Sequence, residues 1–316
     1  MKKTTFSLIF CCMAMGTFAQ QPLGGFLYGT EDAPLGTEWE APEKLSLNKE
    51  QPHAYFFSFS DIESALKVLP QHSRFWKDLN GTWKFHWAPN PGERPKNFYE
   101  TGFDVSGWDD ITVPSCWNVV GIQKDGSLKY GVPIYCNQPV IFKHTVAVGD
   151  WKGGVMREPN KDWTTYKYRN EVGSYRRTFT VADDWKDRQV YINFDGVNSF
   201  FYLWVNGQYV GFSKNSRNTA SFDISKYLVK GENTVAVEVY RSSDGSFLEA
   251  QDMYRLPGIF RNTYLTATSK VHVRDLKIET ELNGNGATVD VKAMLRNLDK
   301  KKIKNYTLSY LSLIHI

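Results

Sequence analysis

The chain has 316 residues, of which 15% are aromatic and 23% charged, and its formal net charge is +4. So small an excess of base, with no basic run interleaved with aromatic residues, excludes the electrostatic footprint of a nucleic-acid binder. The six histidines show no metal-ligand spacing and no Cys-X-X-Cys pair occurs, so there is no zinc signature either.

Residues 1–19 read as a secretory signal: Lys2 and Lys3, an apolar run from Phe6 to Phe18, and Ala19 before Gln20. The run is too short and wrongly flanked for a membrane span. Cys11 and Cys12 have no small-residue lipobox before them. The signal takes two lysines and no acid with it, so 36 bases against 34 acids leave +2. Export to the periplasm is expected, and that compartment permits a disulfide between Cys116 and Cys136. Two buried thiols are an equally good reading of the same pair.

Residues 20–69 form an extended N-terminal arm. Its one helical signal is "SDIESALKVL", with Ser60 or Asp61 as cap and Ile62, Leu66 and Leu69 near helical spacing. From Leu79 onward the pattern is β. "LNGTWKFHWA" sets Trp83, Phe85 and Trp87 on one face, "GSYRRTFTV" does so for Tyr175, Arg177, Phe179 and Val181, and "RQVYINFDGV" for Val190, Ile192 and Phe194. "FYLWVNGQYVGF" predicts a hairpin, because Asn206-Gly207 tolerates the positive φ of a type I′ turn. "KGENTVAVEVY" puts Val235, Val237 and Val239 inward, and "FRNTYLTA" closes the series.

Short strands spaced by about ten residues, with almost no helix, predict an all-β sandwich or jelly roll, here over 70–268. After Ser269 the strands become more charged. Residues 269–316 read as an incomplete immunoglobulin-like sandwich, which needs about seven strands over about 100 residues. Exposed strand edges there predict aggregation or disorder beyond about residue 270 when the chain is isolated. The closing "LSLIHI" has the composition of adapter read-through.

The densest mixture of charge and apolar bulk is "RSSDGSFLEAQDMYRLPGIFR", Arg241 to Arg261. Glu249 and Asp252 invite comparison with the carboxyl pair of a glycosidase, which stands about 5 to 9.5 Å apart across a cleft. Beside Arg255 and Arg261 the better reading is a salt-bridged turn. Asp244, at a strand end in "SSDGS", is either an Asx-turn residue or a carboxylate placed for a sugar hydroxyl or a hydrated cation. In "GVPIYCNQPVIF", Pro133 and Pro139 restrict the backbone around Asn137, whose amide has donors and an acceptor suited to hydroxyls. The stretch from Asp150 to Glu171 reads as an inserted surface loop.

Taken in order, "LNGTWKFHW", "VPSCWN", "PIYCNQP", "FDGVNSFFYLWVNGQYVGFSKNSR", "FDIS", "KGENTVAVEVYR" and "SDGSFLEAQDMYRLPGIFR" resemble the sugar-binding domain of the β-galactosidases of glycoside hydrolase family 2. The resemblance covers about residues 70 to 310. It implies a jelly-roll domain, an immunoglobulin-like domain and then a catalytic TIM barrel of the same chain, working on a β-galactoside with retention. It also implies that Asn137 and Asp244 bind substrate, that Asp244 ligates Na⁺, and that the two catalytic glutamates, the Mg²⁺ ligands and the remaining Na⁺ ligands belong to the barrel. No residue here matches those, so the fragment alone is expected to be inactive. A free-standing carbohydrate-binding module and a structural domain in a homo-oligomer are the competing readings.

Overall fold

Strand formation follows the period-2 burial of apolar side chains. The computed structural model describes residues 38–136, 142–143, 158–159, 170–249, 251–299, 302, 304 and 306–309. The signal segment, Asn137, most of the 150–171 stretch and "LSLIHI" lie outside the described residues. In chain order, β1 is Ser46–Leu47 and α1 is Ile62–Leu66. Asp61 caps α1 by accepting from Ser64 N at 2.7 Å. β2 is Trp76–Asp78, β3 Gly81–Ala88 and β4 Asp109–Val113. A short α2, Trp117–Val120, precedes β5, Ile134–Cys136, then β6, Phe142–Lys143, and β7, Glu158–Pro159. β8 is Val172–Thr180, β9 Gln189–Phe194, β10 Val197–Asn198, β11 Phe200–Val205 and β12 Gln208–Ser213. β13, Ala220–Asp223, and β14, Glu232–Tyr240, lead to α3, Ser246–Glu249. The last strands are β15, Met253–Arg255, β16, Gly258–Ile259, β17, Thr263–Thr268, β18, Val271–Asn283, and β19, Gly286–Asn297.

Two antiparallel sheets face each other, in the orders β1-β12-β11-β14-β8-β3-β4 and β13-β9-β17-β2. Between them lie Trp83, Phe85, Tyr175, Val235, Val237 and Val239 from the first sheet and Ile192, Phe194, Phe222 and Leu265 from the second. The all-β sandwich expected from the strand spacing is what forms. Asn206 (φ 50°) and Gly207 (φ 76°) close the β11–β12 hairpin with Val205 opposite Gln208, as the Asn-Gly pair predicts.

The larger sheet is also covered on its outer face, by Trp39 and Phe98, which pack with Phe200, Tyr202, Trp204 and Tyr240. Every residue of β11 is therefore buried, which is why "FFYLWV" is apolar without alternation. Part of that cover is the N-terminal arm. β1 adds to the β12 edge, Trp39 stacks on Tyr240 with centroids 5.4 Å apart, and Tyr202 Oη donates to Glu38 Oε2 at 2.8 Å. Arg176 fixes the other part by donating to the carbonyls of Phe98, Thr101 and Phe103 at 2.7–3.1 Å.

β18 and β19 form one long hairpin whose Ile278, Leu282 and Met294 are exposed. Arg274 and Arg296 tie it to the sandwich by donating to Glu50 Oε2 at 3.1 and 2.7 Å. Among the described residues no helix is long and apolar enough to cross a membrane.

Candidate functional site

β14 ends at Tyr240 and delivers Asp244 four residues on. The intervening turn is knitted locally. Ser246 N donates to Ser243 O at 2.8 Å, Phe247 N to Asp244 O at 3.1 Å, and the Ser243 hydroxyl meets the Ser199 hydroxyl at 2.6 Å. The backbone of the arm closes over it, with Asp244 N donating to Trp39 O at 3.0 Å. The Asp244 carboxylate points to Lys214, whose Nζ lies 2.7 Å from Oδ2 and donates a second bond to Ala41 O at 2.7 Å. Both side chains are 5% exposed or less. Burial pushes the Asp244 carboxyl up to about 6 against the pull of the ammonium, and burial lowers Lys214.

A Na⁺ at Asp244 would meet a carboxylate already bonded to an ammonium. Among the described residues no group of three or more His, Cys, Asp or Glu side chains stands together.

Asn137 follows β5 directly and lies outside the described residues, so the strand is what can be placed. β5 pairs antiparallel with β15, Met253 opposite Cys136, Tyr254 opposite Tyr135, and Arg255 opposite Ile134. The segment leading to Asn137 and the segment following Asp244 thus form one ribbon. Tyr135 and Tyr254 lie on it as an exposed ring pair 5.4 Å apart, and Tyr135 Oη donates to Asp252 Oδ1.

Beneath the ribbon lies a buried carboxylate. Glu171 Oε2 accepts from Trp117 Nε1 at 3.0 Å, Asn118 Nδ2 at 3.2 Å and Trp87 Nε1 at 3.3 Å. Its Oε1 pairs with Arg241 Nη1, and both side chains are 1% exposed or less. Arg241 Nη2 donates to Val132 O at 2.9 Å and Arg255 O at 3.1 Å. Gly131, at φ +71°, passes so close that a Cβ there would strike the Glu171 carboxylate.

Two expectations need correction. Glu171, at the end of the stretch read as a surface loop, is itself fully buried, because its charge is matched by Arg241 and three further donors. The Arg241–Arg261 stretch is also not a salt-bridged turn. Among the described residues no ion pair joins Glu249, Asp252, Arg255 and Arg261 to one another. Glu249 instead accepts from Ser216 N at 2.8 Å, and Arg261 Nη1 donates to Arg217 O at 2.8 Å, so the stretch is held by the loop after β12. Cys116 is a free thiol, which answers the pairing question left by Cys116 and Cys136. The sequence reading missed Lys214, whose signal is a lone cation at the end of the apolar "YVGFSK" strand. It also missed Trp39 and the Glu171–Arg241 pair. A cavity of about 350 Å³ lies elsewhere, lined by His53, Phe57, Tyr191, Asn193, Tyr264 and His272, and has no wall in common with Asp244.

A family model described as "Glycosyl hydrolases family 2, sugar binding domain" matches residues 76–269. A protein named beta-galactosidase from Priestia megaterium is 43% identical over 249 residues, which is 78% of this chain and 22% of that one. The beta-galactosidase of Halalkalibacterium halodurans is 38% identical over 239 residues, 76% of this chain and 21% of its own. The chain thus spans about a fifth of the length of the curated relatives it matches. Among solved structures, a Bacteroides uniformis beta-glucuronidase aligns with a TM-score of 0.51 at 21% identity, covering 70% of this chain and 22% of that one. At that identity the likeness is one of fold.

Proposed function

The chain belongs to glycosyl hydrolase family 2, and from that premise we propose that it is the N-terminal, galactosyl-recognising part of an exported β-galactosidase. The observation that supports the reading is the β5–β15 ribbon, which pairs the strand leading to Asn137 with a strand following Asp244, within a chain 43% identical to a protein of that name. Asn137 would offer an amide donor and acceptor to ring hydroxyls. At Asp244, whose Oδ2 accepts from Lys214, the carboxylate would offer an acceptor to a hydroxyl.

The chemistry itself belongs to sequence beyond this chain. Retaining hydrolysis uses an acid/base and a nucleophile about 5–5.5 Å apart on opposite sides of the scissile bond, and Glu249 and Asp252 are occupied in holding the turn. Recognition at a distance still assists catalysis, because binding energy from non-reacting hydroxyls can be used to orient the reacting centre. Completion of the second sandwich and addition of a catalytic barrel, together with any Na⁺ or Mg²⁺ chemistry, belong to that further sequence.

The test has two arms. Residues 20–316 are titrated with isopropyl β-D-thiogalactoside, and the gene extended downstream is assayed on an aryl β-galactoside with the first product anomer read by NMR. Binding by the chain that is lost in Asp244→Ala, with retaining hydrolysis only by the extended protein, is expected. Hydrolysis by residues 20–316 alone overturns the division of labour.

A further inference from the structure

We propose that the cavity beneath the N-terminal arm is a second carbohydrate site, one that takes an uncharged saccharide of one or two pyranose rings. It shares no wall with Asp244, so the inference does not rest on the galactosyl reading of that residue. Its volume of about 350 Å³ stands at the lower end of the range for small-ligand sites, about 300–1,000 Å³.

The floor of the cavity is the outer face of the smaller sheet. Alternation sends Ile192, Phe222 and Leu265 into the sandwich, so Tyr191, Asn193, Ser221, Tyr264 and Thr266 face outward. An outward sheet face with this many hydroxyls and amides ordinarily meets water. Here Tyr191, Asn193, Ser221 and Tyr264 are only 5–7% exposed, on a face roofed by the arm and the start of β18. Thr268 Oγ1, on the same face, is buried with no partner among the described residues. Polar groups taken out of water cost free energy unless something bonds them. An apolar occupant would leave Asn193, Ser221 and Thr266 unmatched, whereas a polyol would bond them.

The roof is a strap held at both ends. Glu50 N donates to Ser221 O at 2.8 Å, Ala54 N donates to Asp275 Oδ1 at 2.8 Å, and Ser58 O accepts from Ser73 Oγ. Between these bonds the backbone of Tyr55, Phe56 and Phe57 makes no hydrogen bond among the described residues. The strap therefore spans the sheet without pairing to it, which leaves room beneath.

One wall is aromatic and built as a series. Trp76 of β2 stacks on Tyr264 with centroids 5.8 Å apart, Phe57 meets Tyr264 edge-on at 6.0 Å, and Tyr55 meets Phe57 edge-on at 4.9 Å. Tyr264 is fixed further by donating to Asp195 Oδ1 at 3.1 Å, an oxygen that also accepts from Thr219 Oγ1 at 3.0 Å. Tyr55, at the outer end of the series, is 71% exposed and stands at the rim together with exposed Asn218. A pyranose has apolar C–H faces and an edge of hydroxyls. Rings suit the faces, and amide and hydroxyl groups suit the edge.

The charges of the lining match one another. Arg274 donates to Glu50 Oε2 at 3.1 Å and also to Gln51 O. Burial lowers His53 and His272, so both are neutral at pH 7. No charge is thereby left to select an anion or a cation, and the ligand is neutral.

The experiment titrates the 316-residue chain with cellobiose and with maltose, neutral disaccharides without a terminal galactosyl ring for Asp244. Binding is read by calorimetry and by amide NMR shifts. At least one disaccharide is expected to bind in the millimolar range, with shifts concentrated in 50–58, 191–193, 218–221 and 264–268. Tyr55→Ala and Asn218→Ala, both at exposed positions where folding is little affected, are each expected to weaken it at least fivefold. Asp244→Asn is expected to bind it as the wild type does. Absence of shifts in those segments with both disaccharides overturns the proposal, as does wild-type affinity in both rim variants. Loss of the disaccharide in Asp244→Asn with shifts around residue 244 also overturns it, by placing the ligand at the other site. Shifts in those segments with 4-nitrophenol and with neither disaccharide mark an aryl pocket instead, and the saccharide assignment falls.

Discussion

Replacing Lys214 by Met removes the ammonium from Asp244 and keeps most of the buried stem. The carboxylate, in a residue 6% exposed, then loses its ion-pair partner at 2.7 Å. At that distance and an effective dielectric of about 20 the attraction lost is about 6 kcal/mol. Part of it is returned because an ammonium no longer has to be taken out of water, so a net cost of about 3–5 kcal/mol at pH 7 is expected. The sign of the pH dependence follows from Asp244, whose carboxyl burial already pushes up to about 6 with Lys214 present. Without Lys214 it moves higher still. The folded variant then holds a proton that the unfolded chain releases near about 4, so its stability rises as pH falls, by up to about 1.4 kcal/mol per unit. The penalty should therefore be clearly smaller at pH 5 than at pH 7. Urea unfolding followed by tryptophan fluorescence at both pH values, on Lys214→Met, Asp244→Asn and the double variant, measures this. The double variant should recover at least about 2 kcal/mol relative to the sum of the singles. Singles that add within about 0.5 kcal/mol, with no difference between the two pH values, would refute the reasoning.

Trp39→Ala should cost about 3–5 kcal/mol, the range for removing a fully buried indole, because Trp39 is 0% exposed and stacked on Tyr240; a thermal melt of the sandwich reads it. Gly131→Ala should cost more than the roughly 1–2 kcal/mol of a left-handed backbone alone, since the new methyl meets Glu171, and the denaturant midpoint should fall accordingly. Burial raises the Asp195 carboxyl, which Thr219 and Tyr264 bond at 3.0 and 3.1 Å. The folded state thus holds that proton more tightly than the unfolded one, and this group's contribution falls as pH rises from about 4. In Asp195→Asn the pH profile of stability should be flatter above pH 4, measured as urea midpoints between pH 4 and 7.

The parts of the fold that were legible are those decided by neighbours in sequence. Inward alternation at Val235, Val237 and Val239, the Asn206-Gly207 turn and the Asp61 cap each depend on a few adjacent residues, and each forms as read. The site was less legible because its contacts are not local. Lys214 reaches a carboxylate thirty residues on, and Glu171 reaches an arginine seventy residues on. No period links such pairs. The Asp150–Glu171 stretch reads as polar loop because composition describes a segment, whereas Glu171 takes its burial from partners that the segment does not contain. "FFYLWV" did carry a signal, since a strand apolar on both sides must be covered on both sides, but it does not say that Trp39 supplies the cover.

The reach of Arg241 has a consequence for the order of folding. It joins residues separated by 109, 70 and 14 positions along the chain. Contacts that close long loops bear their entropy cost before they return anything, so they form late. The β8–β14 ladder can assemble without β5, whereas the bonds from Arg241 to Val132 and Arg255 wait until that ladder has set Arg241 and Glu171 side by side. The protection of the Val132 and Arg255 backbone should therefore return after that of the β8–β14 ladder during refolding, read by pulse-labelling hydrogen exchange. In a chain emerging from the ribosome, β5 would likewise stay unpaired with β15 until residue 255 is free, and the smaller sheet would wait longer still for β17.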